Sequence, residues 1–365
     1  MTRRTLLLSS LALPGFGQRG RVLPLEGRRY ADPATEFPVE LLTDPKHPSY
    51  LPYPYARAIA KRGMFFLMAS DRGSGMQAFR FELRSGEMKQ LTEAQDLQPW
   101  SLNILPDDRT FCYLAGRSLW LSPFGSLRER EVYRIPDGWE AGDGLSVSVD
   151  GVSCVLVEKQ NQKHRLRLIG IARGSATTLA EADEPIRHPQ PRPKRASVLY
   201  QHGESLHLVN YDGTPNTRLC DLKPSPGAAQ WSPDGRVVFY LSGKEKLITL
   251  REFTPDTMQD KLVAPTSQFR AFSRNSDGSV FVGAGGSVAS PYILVLVRSV
   301  RRELTLCEHK ASDPSTVAPI FSPTSQRIYF ESDRHGKSAI YSVVLDKFLE
   351  KTEDEEKEKE KATER

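Results

Sequence analysis

One short unit recurs along this chain and limits what the chain can fold into. In its last copy the apolar run Arg327-Ile328-Tyr329-Phe330 is followed by the turn formers Ser332-Asp333-Arg334-His335-Gly336, and then by a second run from Ser338 to Val344. Runs of this length, rich in β-branched and aromatic residues and bounded by turn formers, read as antiparallel strands. The sharpest copy is Trp231-Ser232-Pro233-Asp234-Gly235-Arg236, leading into Val237-Val238-Phe239-Tyr240. Proline presets φ there, and aspartate and glycine accept the turn that reverses one strand into the next. Related stretches begin near Met64, Pro106, Val149, Ala196 and Asn275. Together they make seven units spaced by about 47 residues, the spacing of four-stranded propeller blades. The predicted fold class is therefore all-β, a seven-bladed β-propeller. Its last unit stops after a third strand at Val344, while Glu40-Leu41-Leu42-Thr43-Asp44 mimics the outer strand Gln90-Leu91-Thr92-Glu93 without a blade of its own. The expectation is that this N-terminal strand completes the last blade and closes the ring, which removes an exposed sheet edge.

Boundaries follow from the flanks. Residues 1–17 carry Arg3-Arg4, a short apolar run from Leu6 to Leu13 and the exit Gly15-Phe16-Gly17, the three parts of an export signal. The apolar run is too short to span a bilayer. The chain is thus expected outside the cytoplasm, periplasmic or extracellular, by the Sec or the twin-arginine route. Residues 18–38 read as an extended lead-in, 39–348 as the propeller and 349–365, almost all Glu and Lys, as a disordered tail. The formal charge of +5 is scattered along the sequence, which argues against a nucleic-acid partner. Four cysteines without a CxxC pair give neither a zinc ribbon nor a disulfide framework, so buried thiols are expected. No membrane span is predicted, and a monomer is expected.

No catalytic motif stands out: there is no nucleophile elbow, P-loop, dinucleotide fingerprint or zinc-protease pair. His207 falls inside a strand pattern and reads as a packed or surface residue; His335 falls in a turn and reads as solvated. A propeller presents its sites on the loops around its innermost strands. The candidates by that rule are His188 and Arg192, then Gln230 with Trp231, then Arg270 and Arg274, then Asp313. Tyr53 and Tyr55 also qualify by position, although an ordinary loop role is the first reading for them. Guanidinium forks pair with carboxylates and aromatic rings stack on sugar faces, so the set suits an acidic oligosaccharide.

Several stretches resemble the oligogalacturonate lyases, propellers that cleave pectin-derived oligosaccharides by metal-assisted β-elimination. The resemblance runs from about Leu41 to Phe348. It rests on Asp71-Arg72-Gly73 with Gln90-Leu91-Thr92, on Arg187-His188-Pro189 with Gln201-His202-Gly203-Glu204, on Asn275 to Gly283, and on Leu306-Cys307-Glu308-His309 with Pro319 to Tyr341. It adds His202 to the substrate-binding candidates and implies Arg192 as the assisting arginine. It also implies a divalent metal such as manganese, held by three histidines and a glutamine, with a histidine base. At the corresponding positions this chain has Ala271, Thr316, Ala318, Asp313 and, for the base, Ala228. Abstracting a proton beside a uronate carboxylate needs a base and a cation to hold the developing charge. The expectation is a family propeller that handles acidic sugars with the metal site lost and no cofactor. The alternatives are a lyase with a rebuilt site and a Tol-like propeller that docks a protein partner.

Overall fold

The computed structural model describes residues 18–222, 229–244 and 247–345. Among these residues there is no α-helix; β-strands and two 3₁₀ turns, Pro99–Ser101 and Pro314–Thr316, make up the regular structure. No helix of the described residues is long and apolar enough to cross a membrane. The first sheet runs outward from Ser49–Tyr50 through Phe65–Asp71 and Met76–Glu82 to Met88–Gln90. The second runs from Asn103–Ile104 through Thr110–Ala115 and Ser118–Pro123 to Arg130–Arg134. An eight-stranded sheet follows. Its halves start from Glu140–Val147 and Ile186–Pro191, which touch through a parallel bridge between Asp143 and Arg187. Two four-stranded sheets begin at Gln230–Trp231 and Phe269–Arg274, and a last sheet begins at Ile320–Phe321.

The strands are apolar on both faces because each sheet packs between two others. In Phe65–Asp71, Phe65, Leu67 and Ala69 point into one core with Phe111 and Tyr113 of the second sheet. Phe66 and Met68 point the other way, to Tyr329 and Ile340 of the last sheet. Period-two alternation thus divides one strand between two cores. The Ser-Pro-Asp-Gly turn works as its composition requires. Ser232 Oγ and the Arg236 amide both donate to the Asp234 carboxylate, at 2.6 and 3.0 Å. Gly235 has φ +71°, and a Cβ there would lie 2.4 Å from the Pro193 carbonyl oxygen. Only glycine fits that close approach.

The innermost strands are stitched side to side. Asn103 Nδ2 donates to the Leu145 carbonyl, Gln190 Nε2 to Ala229, and Gln230 Nε2 to Phe272. The Phe321 amide donates to Ser273 Oγ. Each bond leaves one sheet and lands on the next.

At the outer edge, Pro38–Leu41 pairs antiparallel with Ala339–Val344, in the register Val39 to Val343 and Leu41 to Tyr341. Residues 18–38, expected as an extended lead-in, are more than that. Val22–Leu23 adds to the edge of the first sheet, and Arg28–Ala31 adds outside Pro38–Leu41. Arg19 pairs with Glu129 of the second sheet at 2.7 Å, and the fully buried Asp32 accepts the Glu308 amide at 3.0 Å. The segment is a strap over several sheets, held wherever an edge would leave backbone donors unpaired. The predicted export signal over 1–17, the charged tail over 349–365 and Ala228 lie outside the described residues.

Candidate functional site

The site is built on a break in the innermost strand of the first sheet. Pairing with Phe65–Asp71 holds at Ser49 and Tyr50 and resumes with the bridge from Ile59 to Phe66. Between them lies Leu51-Pro52-Tyr53-Pro54-Tyr55. Two prolines supply no amide to a ladder, so the segment leaves the sheet. Its two tyrosines stack with centroids 5.2 Å apart and reach both halves of the eight-stranded sheet. The Tyr53 hydroxyl donates to Asp143, which faces the Arg187 guanidinium at 3.5 Å. The Tyr55 hydroxyl lies 3.4 Å from His188 Nδ1. His188 sits edge-on to both rings, at 5.3 and 5.6 Å, and Trp100 lies 5.9 Å from Tyr53. A bulge between Arg187 and Gln190, with His188 at φ +49°, aims this imidazole. Burial disfavours its charged form and lowers its pKa, while Asp143 opposes the shift.

Beside this cluster opens a cavity of about 520 Å³ whose wall includes Tyr53, Trp100, His188, Arg270, Thr316 and Glu331. The Arg270 guanidinium has no hydrogen-bond or ion-pair partner among the described residues. Gly286 makes room for it, since a Cβ there would lie 2.1 Å from Arg270 Cγ. Glu331 accepts a hydrogen bond from the Leu51 amide, and burial pushes its carboxyl up to about 8. Ala271, Thr316 and Ala318 all line this cavity. Two methyl groups and one hydroxyl do not make a divalent-metal donor set, which takes about three imidazole, carboxylate or thiolate ligands. Among the described residues no group of three or more His, Cys, Asp or Glu side chains could hold a metal ion.

Of the candidates named from sequence, Tyr53, His188 and Arg270 line this cavity and Tyr55 packs against His188; the others lie elsewhere. Arg192 lies four residues beyond His188, and Arg274 four beyond Arg270. At about 3.3 Å per strand residue each pair is some 13 Å apart, at opposite ends of the innermost strands. Arg274 and Gln230 line a separate cavity of about 350 Å³ at that far end. Arg274 donates to the Trp231 and Asn275 carbonyls at 2.6 and 2.9 Å, and burial lowers its pKa to about 10. Arg192 makes a two-pronged pair with Asp256, both arms 2.9 Å, and donates to the Gly235 carbonyl. The Arg192 guanidinium is 5% exposed and spends three of its five N–H donors on protein, at the end of the strands away from His188. Gln230 is spent on the stitch to Phe272. His202 stands outside the cavity beside His207 and Glu184. Asp313 caps the Pro314–Thr316 turn through the Ser315 amide and hydroxyl, at 3.0 and 2.6 Å.

Sequence reasoning missed Trp100, Asp143 and Glu331. Trp100 precedes an innermost strand, so the mouth rule applied to the second unit would have found it. Glu331 sits near the end of the second strand, Arg327–Ser332, where the rule does not look.

Fold and cavity together define an all-β, propeller-like protein with a pocket that exposes a guanidinium. No family model matches the chain. It is 22% identical to an oligogalacturonide lyase of Pectobacterium atrosepticum over 88% of this chain and 97% of that protein. It is 22% identical to an oligogalacturonate lyase of Dickeya dadantii over the same shares. A solved oligogalacturonate lyase in complex with manganese superimposes with a TM-score of 0.83 at 22% identity, covering 89% of this chain and 98% of that one. The chain is thus similar over nearly its whole length to oligogalacturonate lyases, in sequence at 22% identity and in fold.

Proposed function

We propose that this protein binds pectin-derived or other acidic oligosaccharides in the Arg270 cavity without the metal-assisted elimination of its relatives. The observation that carries this reading is a guanidinium without a protein partner in an aromatic-walled cavity, where the resemblance would place metal ligands but Ala271, Thr316 and Ala318 stand. A fixed cation with free donors recruits a uronate carboxylate, and Trp100 and Tyr53 offer ring faces for the sugar. The scaffold in this reading is a seven-bladed propeller. Its support is the recurrence of the unit and the pairing of Pro38–Leu41 with Ala339–Val344, which joins the two ends of the chain in one sheet. Export by the signal over 1–17 belongs to the same reading and puts the protein where such sugars arrive.

Calorimetry and absorbance test it together. Di- and trigalacturonate are expected to bind, a neutral galactose oligomer is not, and no unsaturated product should accumulate with or without manganese. Product formation abolished by a chelator would overturn the lost-mechanism reading. Product formation indifferent to the chelator would replace it with a rebuilt lyase.

A further inference from the structure

Glu331 is the one acidic side chain in the wall of the 520 Å³ cavity. It lies on Arg327–Ser332 of the last sheet, where its strand neighbour across the ladder is the apolar Ile340. One carboxyl oxygen is held by the Leu51 amide; the other has no protein partner among the described residues. No basic side chain among the described residues forms an ion pair with it. Arg270 shares the cavity without forming an ion pair to it, and His188 is engaged through Nδ1 with Tyr55. From the Ser49–Tyr50 strand the Tyr50 phenol faces it, and from the 51–55 segment the Tyr53 phenol, whose proton goes to Asp143. The Pro314–Thr316 turn presents hydroxyls, with Asp313 turned to its own cap. A buried carboxylate with one backbone donor and no cation is unfavourable, and taking up a proton removes the penalty. That proton then has no acceptor among the described residues.

We propose that Glu331 is a specificity-determining residue of this site: it meets the ligand in its protonated form and donates its carboxyl hydrogen to a ligand carboxylate. The proposal rests on the acidic-sugar reading above and adds to it. Arg270 supplies charge, and Glu331 supplies a donor that recognises a carboxylate while keeping the cavity net positive. A neutral hydroxyl accepts such a hydrogen bond only weakly, so the pair of residues selects uronates over neutral sugars. Ionised Glu331 would instead repel the ligand. Because burial holds this carboxyl near pH 8, binding must weaken as pH rises through about 8. Below that the site is already loaded with its proton.

The test is calorimetry of digalacturonate against the full chain on both sides of pH 8, in buffers of different ionisation enthalpy, for wild type and Glu331→Gln. Wild type should take up a proton on binding around and above pH 8, and its affinity should drop about tenfold per pH unit there. Glu331→Gln keeps the acceptor for Leu51 and a neutral donor. It should bind within a few-fold of wild type at low pH, with no proton uptake in this range and a flat profile. Wild-type binding without proton uptake would overturn the role of Glu331 and leave the sugar reading standing, and it decides the matter even if the variant fails to fold. Proton uptake that survives in Glu331→Gln would overturn it too. No wild-type binding at any pH would overturn both.

Discussion

Arg270 and Arg274 share one innermost strand, lie four residues apart and meet opposite fates. Arg274 donates from Nε and one Nη to backbone carbonyls, and Arg192 at the same end is clamped by Asp256. Arg270 opens into a cavity and has no hydrogen-bond or ion-pair partner among the described residues. The same residue type thus builds structure at one end of the strands and is left available at the other. Residue type does not locate function here; the state of satisfaction of its hydrogen bonds does. Arg270 is half-buried and keeps its donors open to the cavity, where an anionic group can pair with them.

The contrast can be broken by truncating each arginine. Arg270→Ala should lower digalacturonate affinity by about 10- to 100-fold, the value of a charge-assisted hydrogen bond, with an unchanged melting temperature. Gly286→Ala should act in the same direction, since its methyl group displaces the Arg270 stem. Arg274→Ala should do the reverse. Leaving the Trp231 and Asn275 carbonyls without a donor is expected to cost about 2 kcal/mol in urea unfolding, with sugar affinity intact. Arg192→Lys should also destabilise, because an ammonium cannot reproduce the two-pronged pair, but by about 1 kcal/mol since Asp256 is half exposed. Equal losses of affinity at both ends would dissolve the distinction.

Glu331 sharpens it through pH. Its carboxyl is raised from 4.5 to about 8 in the fold, so between these values the native state holds a proton that the unfolded chain has released. Stability should therefore fall as pH rises across that window, by at most about 1.4 kcal/mol per unit. Glu331→Gln should remove that contribution, as urea titrations at several pH values would show. His202→Ala, outside the cavity, should leave affinity unchanged.

The repeat was legible because its signals are local. Ser232-Pro233-Asp234-Gly235 makes its turn from its own side chains, and the apolar runs become strands by pattern alone. The partner of Pro38–Leu41 could also be read, because the last unit lacks a strand that the first residues resemble. The site was half legible. His188 and Arg270 carry position and chemistry together. Arg192 and Arg274 share that chemistry, yet a strand's length puts them at the far end, and their partners Asp256 and Trp231 come from other turns of the chain. Glu331 was illegible for a related reason. In Ile328-Tyr329-Phe330-Glu331 it reads as a solvent-facing polar residue, and only the departure of Leu51–Tyr55 from its sheet brings an amide to it. The strap over 18–38 was hidden because its strands are only two and four residues long and acquire their partners only when the sheets are assembled.

The central claim is tested most directly by a crystal structure of the protein with digalacturonate. The account predicts a uronate carboxylate within hydrogen-bond distance of the Arg270 guanidinium, in the cavity walled by Trp100, His188 and Glu331. A sugar seated instead at the Arg192 and Arg274 end would contradict it, as would a divalent cation bridging sugar and protein.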